Sequence, residues 1–468
     1  MPSDRPKHVL LITTDHMRYD CIRAYGNEAI HTPNLDALAG GGVNFHNTFI
    51  QNHCCMPSRA SFLTGLYPQQ TGVTDNGFCL PDDFQPVAPR CFKGLGYHTG
   101  HIGKLHLQPH TGVEYDAAPQ NTYGFDTFHC CESPTKPFDA YFKYLDAKYP
   151  EYRDALNPSV STKSKLDNPG RRVVDAPWQA SHSGFCAETT ADYFALRGFL
   201  PQFVHMGLFS PHPPLIPTAE AFAPYDGAEI PVPRLGENEW EDKPDCKLRN
   251  LLQWNRKWTR EDFIEYRRYF YAMVTELDLA VGRVMDMLRK RGELDDTLIV
   301  FTSDHGDQCG DHSITLKAPH YFDEVMHVPL ILHWPNGLGD ERRDVEAMIE
   351  MVDLLPTMIG LSGGRPHEAM VGNDYSDQLL TGEPIEGRED VYATSDPRFA
   401  MLRTREWKYL RYDEDKEVLY DLTDTDRYEV VNRADDPACR ETLQQMRQRM
   451  LTRSIHAGRS PLVRQACW

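Results

Sequence analysis

The chain has 468 residues, of which 40% are hydrophobic and 25% are charged, values typical of a globular protein with room for a main domain and a smaller one. Its formal net charge of -19 argues against nucleic acid or an anionic membrane as the main partner, because both require a basic surface. A small anionic substrate is not excluded, since it needs only a local positive pocket.

The N-terminus and the cysteines bear on the cellular compartment. The first apolar run has about five residues, fewer than the roughly 7 to 15 of a signal-peptide core, and no stretch approaches the about 20 apolar residues of a membrane span. We therefore expect a cytoplasmic protein, unless a leader has been removed. The 12 cysteines have no repeated spacing, so free thiols are expected rather than a disulfide framework or a Cys-rich zinc site.

Runs of apolar and β-branched residues predict strands that are buried on both faces. The first covers residues 8–14 and ends at Asp15. A strand that ends in an acid directs that acid into the crevice at the carboxyl edge of an α/β sheet, where ligands bind. The segment SPHPP after residue 209 is expected to leave the sheet, because prolines cannot continue it. Further strands are predicted at residues 43–50, 202–209, 297–303 and 328–334.

Capping residues and apolar spacing predict the helices. A short helix opens at Thr32 and ends at the glycines 40–42, and a long helix runs from Thr259 to about residue 291. Thr259 and Asp262 fit a capping box, and apolar residues at spacings of three and four give the long helix an inward face. Residues 110–180 show no clear period and are interpreted as an irregular lid or insertion.

The pattern of the sequence changes beyond about residue 364. Four short segments alternate apolar and polar residues, and a polar helix follows at about residues 437–456. Such alternation indicates an antiparallel sheet with one face in water. We therefore predict an α/β domain over residues 1–364, with a large, mostly parallel sheet flanked by helices, and an α+β subdomain over residues 365–468 with a smaller antiparallel sheet plus a helix.

The segment NHCCMPSRASFLTG, residues 52–65, joins a loop to a helix. Pro57 favours the first helical turn, where its missing N–H costs nothing, so Cys55 or Met56 is expected at the helix N-terminus. Free backbone N–H groups and the positive end of the helix dipole would face a bound group. Arg59, one turn later, can fork onto oxygens, so the segment suits a tetrahedral anion with Cys55 at its centre.

Two predicted strands that are far apart in the sequence each end in an acid followed by a histidine, Asp15-His16 and Asp304-His305. If both strands lie in one parallel sheet, their ends can share a divalent metal ion through carboxylate oxygens and imidazole nitrogen. The alternative for either pair alone is that the acid caps the loop that follows it.

The sequence CMPSRASFLTG, which begins at Cys55, matches the signature C-x-P-S-R-x-x-x-L-T-G without a mismatch. The chain resembles the type I sulfatases of the alkaline phosphatase superfamily, which carry this signature, and the resemblance covers nearly the whole chain. It implies an alkaline phosphatase-like fold. Further matches follow in the family's order: G-K-x-H at 103–106, P-H-x-P at 211–214, T-S-D-H-G at 302–306, G-D-H at 310–312, W-K-Y-L at 407–410 and L-Y-D-L at 419–422.

The resemblance implies that a separate maturation enzyme oxidises Cys55 to Cα-formylglycine, whose aldehyde hydrates to a geminal diol. One hydroxyl attacks the sulfur of a small-molecule sulfate ester and expels the alcohol. The other hydroxyl, once deprotonated, expels sulfate and restores the aldehyde. A serine or a thiol could perform the first step but would have to wait for water in the second.

The resemblance also implies one divalent metal ion, which would lower the pKa of the diol and neutralise sulfate oxygens. Many family members carry two consecutive acids after the first strand and favour Ca²⁺, whereas the second position here is His16. As a ligand, His16 would shift the preference toward Mn²⁺ or Zn²⁺, with Mg²⁺ also open; alternatively, it lies behind the ligands and the ion has one ligand fewer. The candidate ligands are Asp15, His16, Cys55, Asp304 and His305.

Proton transfers and positive charge are assigned by the same resemblance. By position, His106 would deprotonate the second hydroxyl, and His212 with Lys317 would bind sulfate and protonate the leaving oxygen. Histidine suits both tasks because its pKa lies near neutrality. The sequence around Lys317, ITLKAPH, departs from the Gly-Lys of the family. The cations expected around the sulfate oxygens are Arg59, Lys104 and Lys317.

Other residues near these motifs have simpler interpretations. Asp307, Asp311 and His312 are interpreted as groups that shape the loop after residue 303 or support the ligands. Tyr266 and the aromatic residues near it on the long helix are interpreted as core or interface residues.

Two other functions are left open. A phosphonate monoester or phosphodiester hydrolase of the same superfamily would use the same formylglycine, and a non-catalytic relative would only bind anions. Phosphonate hydrolases tend to replace the lysine and histidine of G-K-x-H, so the presence of Lys104 and His106 favours sulfate. The sequence does not identify the ester, which could be an aryl, alkyl, choline or carbohydrate sulfate, and it leaves a homo-oligomer open.

Overall fold

The computed structural model describes residues 5–109, 121–134, 139–157, 171–197, 199–235, 239–241, 243, 255, 257–317, 320–395, 399–413, 415–423 and 428–459. They form two β-sheets with helices packed against them. The ten cysteines among these residues are free thiols. No helix of this part of the chain combines the length and the apolar character that a membrane span requires.

The larger sheet has eight strands: β1 (His8–Asp15), β2 (Val43–Phe49), β3 (His98–Gly103), β4 (Thr127–Cys130), β5 (Gln202–Pro211), β6 (Thr297–Ser303), β7 (Leu330–His333) and β8 (Arg343–Glu350). Their order in space is β4-β3-β5-β1-β6-β7-β2-β8. Neighbours pair in parallel except for β7, which runs antiparallel to β6 and β2. The predicted large, mostly parallel sheet is therefore confirmed.

Strand β1 lies in the middle of this sheet because its side chains are apolar on both faces. Leu10 and Ile12 belong to one hydrophobic cluster, and Val9 and Leu11 belong to the cluster on the other side. Parallel pairing of β1 with β5 and β6 brings three carboxyl ends to the same edge of the sheet. Ligands bind at this edge in open α/β sheets.

Helices flank the sheet. The long helix begins with the predicted capping box, because the hydroxyl of Thr259 accepts the N–H of Asp262 and the carboxylate of Asp262 accepts the N–H of Thr259. The helices are α1 (Pro33–Gly40), α2 (Cys55–Thr64), α3 (Pro68–Thr71), α4 (Ala88–Gly94), α5 (Ala140–Lys148), α6 (Arg153–Leu156), α7 (His182–Arg197), α8 (Ala219–Phe222), α9 (Arg260–Lys290), α10 (Asp323–Met326), α11 (Pro335–Leu338), α12 (Leu354–Leu361), α13 (Ser376–Thr381) and α14 (Arg440–Ala457).

The smaller sheet is antiparallel and has the order β12-β11-β10-β9, formed by β9 (Val391–Ser395), β10 (Phe399–Arg403), β11 (Trp407–Tyr412) and β12 (Glu417–Asp421). Leu402 and Leu419 of this sheet share a hydrophobic cluster with Leu443 and Met446 of α14. The predicted antiparallel sheet plus helix is confirmed. The division of the chain at residue 364 stays a prediction.

Strands β3 and β8 and helix α7 are among the elements that were not expected from the sequence. Strand β3 reads HTGHIG, and its final glycine is required because a Cβ on Gly103 would collide with the carbonyl oxygen of Gly207. Strand β8 lies at the sheet edge, where charged residues alternate with half-buried ones. Helix α7 has many buried residues of low helix propensity. Tertiary contacts therefore override weak local signals in all three.

Two sequence interpretations are wrong. Strand β5 continues to Pro211, which is aligned with Asp15 beyond a bulge in the pairing with β1. The hydrogen-bond ladder is interrupted at the bulge, so the strand can include a proline, which has no N–H to donate. The proposed irregular lid, residues 110–180, contains β4 and α5, and Asp139 caps α5 by accepting two backbone N–H groups. Residues 110–120, 135–138 and 158–170 of that segment lie outside the described residues.

A buried carboxylate joins the two sheets. Glu350, at the end of β8, accepts hydrogen bonds from the hydroxyl of Tyr67 at 2.5 Å and from the backbone N–H of Tyr392 at 2.7 Å, and it pairs with Arg453 of α14. Its side chain is completely buried. The C-terminal helix is thus bound to the main sheet through an ion pair that is shielded from water.

Replacement of Glu350 by alanine is expected to lower the free energy of unfolding by about 3 to 5 kcal/mol, because it removes a completely buried carboxylate that pairs with both Arg453 and Arg388 and accepts from Tyr67. Urea unfolding of wild type and Glu350→Ala measures this. Arg289→Ala is the control, since the pair of Arg289 with Asp286 is exposed and its loss should cost less than about 1 kcal/mol. Equal, small effects of the two substitutions would contradict the expectation.

Candidate active site

The site begins at the carboxyl ends of β1 and β6. Asp15 is the last residue of β1, Asp304 directly follows β6, and both side chains are completely buried. The backbone N–H of Asp304 donates to the carbonyl oxygen of Thr14 at 3.1 Å. Parallel pairing of β1 with β6 therefore brings the two acids to neighbouring strand ends.

Cys55 is the first residue of α2, as the position of Pro57 predicted, and every side chain of this ten-residue helix is buried. Its Sγ lies 2.7 Å from Lys317 Nζ, 3.1 Å from His305 Nε2 and 3.6 Å from Asp15 Oδ1. The thiol therefore lies where the helix N-terminus meets the ends of β1 and β6. This is the position at which positive charge and free backbone N–H groups favour an anion.

Arg59 ties α2 to the strand ends. Its Nε donates to Asp304 Oδ2 at 2.7 Å, and its other two nitrogens donate to the carbonyl oxygens of Thr14 at 3.3 Å and Lys104 at 3.2 Å. The hydroxyl of Ser58 donates to the carbonyl oxygen of Asp304 at 2.5 Å. The sequence predicted a guanidinium that contacts the bound anion, whereas these contacts are with protein oxygens. Its charge therefore acts on the site through Asp304.

Two lysines bring further positive charge. Lys104 follows β3, donates to Asp15 Oδ2, and places its Nζ 5.2 Å from the ring centre of Phe209. Lys317 donates to Cys55 Sγ and lies 3.0 Å from His305 Nε2. The structure thus brings Lys317 to the cysteine even though its local sequence departs from the family motif.

Three imidazoles surround these charges, and each uses Nδ1 in a hydrogen bond to an oxygen. His16 Nδ1 donates to Asp307 Oδ2 at 2.7 Å, and His305 and His212 donate to the carbonyl oxygens of their next residues at 2.8 and 2.5 Å. The ring centres of His212 and His305 lie 4.3 and 4.4 Å from that of His16. Because a neutral imidazole that donates from Nδ1 keeps a lone pair on Nε2, each can serve as a ligand or a base.

His106 lies in the turn after β3. Its backbone N–H donates to Glu132 Oε1 at 2.9 Å, and the thiol of Cys130 donates to the same oxygen at 3.3 Å. The side chain is buried, and a backbone φ of 54° is uncommon for a residue other than glycine. Its assignment as the base that deprotonates the second hydroxyl stays a prediction.

Two models of known protein families match this chain. The family model described as Sulfatase matches residues 7–364, and a second model, N-sulphoglucosamine sulphohydrolase, C-terminal, matches residues 310–456. The chain belongs to the sulfatase family. The suggested resemblance to the sulfatases of the alkaline phosphatase superfamily is therefore confirmed.

Relatives of this chain have low sequence identity but align with nearly all of it. The multifunctional alkaline phosphatase superfamily protein PehA of Trinickia caryophylli is 27% identical and covers 97% of this chain and 96% of its own. An arylsulfatase of Clostridium perfringens is 26% identical, with 90% and 91% covered. Among solved structures, the phosphonate monoester hydrolase of Agrobacterium radiobacter has a TM-score of 0.82 at 25% identity, with 97% and 96% covered.

The residues present at the strand ends fit a divalent metal ion. Among the described residues, one group of side chains could hold such an ion: Asp15, His16, Cys55 and His305, with candidate ligand atoms within 4.8 Å of one another. His16 Nε2 is buried without a hydrogen-bond partner in this part of the chain, as expected for an unused ligand atom. The set of one carboxylate, one thiol and two imidazoles therefore fits a divalent ion. Asp304 lies beside this group, with Oδ2 on Arg59, and its role as a ligand stays a prediction.

Burial and neighbouring charges determine the protonation of Cys55, His16 and His212. Burial and Asp15 act to raise the pKa of the Cys55 thiol, but Lys317 and Lys104 outweigh them and hold this pKa below its usual value. Burial lowers the pKa of His212 to about 3 and that of His16 well below its usual range. Both imidazoles are therefore neutral at pH 7 and can offer a lone pair.

Sequence reasoning missed two contributors to the site, Tyr266 and Phe209. Asp307 was interpreted as a residue that shapes the loop or supports the ligands, and in the structure it accepts the Nδ1 hydrogen of His16. Tyr266, interpreted as core, donates its hydroxyl to Asp307 Oδ2 at 3.2 Å. The ring centre of Phe209 lies 5.2 Å from Lys104 Nζ and 4.6 Å from the ring centre of His212. Tyr266 belongs to an apolar stripe, so its sequence pattern gives no sign of a polar role.

The loop that leads to Lys317 contains a buried charged histidine. His312 has Nδ1 3.1 Å from Glu239 Oε2 and Nε2 3.5 Å from Glu324 Oε2, and its ring stacks on Phe322 at 3.8 Å. Burial acts to lower the pKa of His312, but the hydrogen bonds and charges of the two glutamates raise it to about 10.

We expect this group to make the protein less stable in alkali. Because the pKa of His312 rises from 6.5 to about 10 on folding, its contribution is fully present below pH 6.5 and is lost as the pH rises through 10. The free energy of unfolding should fall by at most about 1.4 kcal/mol per pH unit from this group. Urea unfolding of wild type and His312→Gln across this range measures the slope, and the same slope in both proteins would argue against the assignment.

Proposed function

We propose that this protein is a sulfatase that cleaves the S–O bond of a small-molecule sulfate monoester, with a formylglycine derived from Cys55 as the nucleophile and one divalent metal ion. The observation that carries the proposal is the environment of Cys55 Sγ, which lies 2.7 Å from an ammonium and 3.1 Å from an imidazole at the start of a buried helix. This environment would stabilise an anionic nucleophile and an anionic substrate together.

The charge balance supports a monoanionic, tetrahedral substrate. Three buried or half-buried cations, Arg59, Lys104 and Lys317, accompany three buried carboxylates, those of Asp15, Asp304 and Asp307. A divalent metal ion would therefore give the site a net positive charge. Entry of a sulfate group therefore neutralises charge in a region where low dielectric makes unbalanced charge costly.

The two groups that the family uses fit the residues present. A divalent ion at Asp15, His16, residue 55 and His305, with Asp304 as a further candidate, would supply Lewis acidity. The nitrogen ligands favour Mn²⁺ or Zn²⁺ over Ca²⁺ or Mg²⁺. Formylglycine would supply a nucleophile that releases sulfate without a second water, and its formation makes a maturation enzyme a required partner.

The remaining residues bind the substrate and move protons. Lys317 Nζ is within hydrogen-bond distance of the reactive atom of residue 55, so it can hold a sulfate oxygen or protonate the leaving alcohol. His212 is neutral with Nδ1 committed to a carbonyl oxygen, so it donates from Nε2 only after it takes up a proton. A bound sulfate favours that uptake through its negative charge. His106 is assigned as the base for the second hydroxyl.

The division of labour along the chain is part of the proposal. Residues 1–364 would form the catalytic α/β domain and residues 365–468 the C-terminal α+β subdomain. Glu350 and Arg453 join the two at a buried ion pair, so the subdomain would support the catalytic sheet rather than move independently. A cytoplasmic location and a homo-oligomer stay open expectations from the sequence.

A phosphonate monoester hydrolase is the second candidate, because the solved phosphonate monoester hydrolase of Agrobacterium radiobacter has a TM-score of 0.82 with this chain. Both substrates present a tetrahedral monoanion, so fold and charge alone do not separate them. The lysine on Asp15 and the histidine two residues later favour sulfate. A non-catalytic anion-binding relative would have no need for this set of residues.

Cys55→Ala is expected to lower kcat for an aryl sulfate on the order of 10⁴-fold or more, because it removes the nucleophile and its precursor. In the wild type, the tryptic peptide that contains residue 55 should be lighter by the difference between a thiol and an aldehyde. Cys91→Ala, on α4, is the control and should keep wild-type activity. Full activity with an unmodified cysteine would refute the formylglycine mechanism.

The kcat/KM for an aryl sulfate is expected to exceed that for the matching aryl phosphonate monoester. Lys104→Ala and His106→Ala should each lower kcat/KM for the sulfate by roughly 10² to 10³-fold, through lost charge and lost proton transfer. Steady-state rates with the two substrates measure both effects. A large preference for the phosphonate would support the second candidate instead.

A further inference from the structure

We propose that Asp307 is a positioning residue that fixes the tautomer of His16, so that Nε2 of His16 binds the metal ion and the site prefers Zn²⁺ or Mn²⁺ to Ca²⁺. The inference rests on the proposed function for the presence of a metal ion. Asp307 and His16 are assigned no catalytic step, and the test of their roles measures metal binding instead of the rate of sulfate hydrolysis.

The hydrogen bonds of Asp307 fix which atom donates. Oδ1 accepts the backbone N–H groups of Cys309 at 2.8 Å and Leu316 at 3.1 Å, and neither group can act as an acceptor. Oδ2 accepts the hydroxyl of Tyr266 at 3.2 Å and lies 2.7 Å from His16 Nδ1. A carboxylate can only accept, so Nδ1 of His16 carries the hydrogen. The lone pair of the neutral ring is then on Nε2.

The ring of His16 is held so that Nε2 points into the metal-binding group. Nε2 lies 3.9 Å from Asp15 Oδ1 and has no hydrogen-bond partner among the described residues, although the side chain is only 1% exposed. A buried, unpartnered ring nitrogen costs free energy unless something binds it. The lone pair therefore marks the position of a ligand atom.

The backbone of His16 supports the same conclusion. Its φ of 73° lies in the left-handed region, which costs free energy for a residue with a Cβ. The backbone N–H contacts Asp304 Oδ1 at 3.4 Å, and the ring lies edge-on between His212 and His305. This strained backbone conformation turns the imidazole toward Asp15.

His16 differs from the other two imidazoles in what orients it. His212 and His305 donate to backbone carbonyl oxygens, which no substitution can remove, whereas His16 donates to a side-chain carboxylate. Carboxylates that accept from a metal-bound histidine fix its tautomer and increase its basicity, and their loss typically weakens metal binding about 10 to 100-fold. Asp307 is therefore a point where the metal preference can be altered without touching a ligand.

Asp307→Asn should reverse the tautomer of His16. The two backbone N–H groups require an oxygen at the Oδ1 position, so the amide nitrogen must occupy the Oδ2 position and donate to His16 Nδ1. The hydrogen of His16 then moves to Nε2 and points at the metal-binding group. The substitution conserves shape and removes the ligand lone pair.

The test measures metal binding to the full-length chain. All proteins carry Cys55→Ala, so that neither a free thiol nor incomplete maturation contributes, and each is stripped with a chelator and titrated with Zn²⁺, Mn²⁺ or Ca²⁺ alone. We expect Asp307→Asn to weaken Zn²⁺ and Mn²⁺ binding about 10 to 100-fold and Ca²⁺ binding by less than about threefold. Asp278→Asn is the matched control, because it makes the same change in a buried carboxylate of α9 that accepts the backbone N–H groups of Asn34 and Leu35, and it should change Zn²⁺ binding by less than about threefold.

A double-mutant cycle separates positioning from general support of the fold. Because Asp307 acts through His16, Asp307→Asn should cost no further Zn²⁺ affinity in a protein that already carries His16→Gln. Additive losses, equal losses for all three ions, or unchanged Zn²⁺ binding would each overturn the proposal. If Asp307→Asn fails to fold, His16→Gln alone decides, since retention of the Zn²⁺ preference without the imidazole would overturn it too.

The outcome is independent of sulfatase activity. Mature wild-type protein that binds Zn²⁺ as expected but hydrolyses no sulfate ester would refute the proposed function and leave the role of Asp307 intact. An active sulfatase whose Zn²⁺ affinity does not respond to Asp307→Asn would refute only the role of Asp307.

Discussion

The buried guanidinium of Arg59 is the contact on which the site depends. It donates to the carboxylate of Asp304 and to the carbonyl oxygens of Thr14 and Lys104, so one side chain links helix α2 to the ends of β1 and β6 and to the turn after β3. A completely buried charge is stable only where it is paired and hydrogen-bonded. These three partners therefore hold one another in place, and they fix where Cys55 lies relative to the strand ends.

The charged and polar side chains of this buried site hold one another in fixed positions. Lysines, carboxylates and imidazoles contact one another at buried or half-buried positions, and the imidazoles of His16, His212 and His305 each have Nδ1 committed to an oxygen. In a low dielectric, such fixed dipoles and charges act strongly on a bound anion and need no reorganisation when it arrives. Among the described residues, Nε2 of His16 has no hydrogen-bond partner, and a metal ion would satisfy it.

Sequence patterns predicted the elements whose signals are local. β1, β6 and the long helix α9 were predicted because their apolar periodicity is strong over a whole element, and the antiparallel C-terminal sheet because alternation is read along each strand. β3 was not predicted, because its two glycines are required by the close approach of other elements, Gly103 by that of β5 and Gly100 by that of Tyr193 on α7. β8 was not predicted, because an edge strand with charged residues has no apolar run. Pairing partners decide such strands, and they are distant in the sequence.

The sequence by itself determined the family and the fold class, since the ordered motifs from Cys55 to His312 can be recognised without coordinates. Only the tertiary structure decided what each side chain contacts. It showed that Arg59, expected to bind the anion, donates to Asp304, and that Lys317 donates to Cys55. It also showed that Asp307 accepts hydrogen bonds from both His16 and Tyr266. The physical reason is that the direction of a side chain and the tautomer of an imidazole depend on neighbours up to about 300 positions away, which local propensity and spacing do not encode.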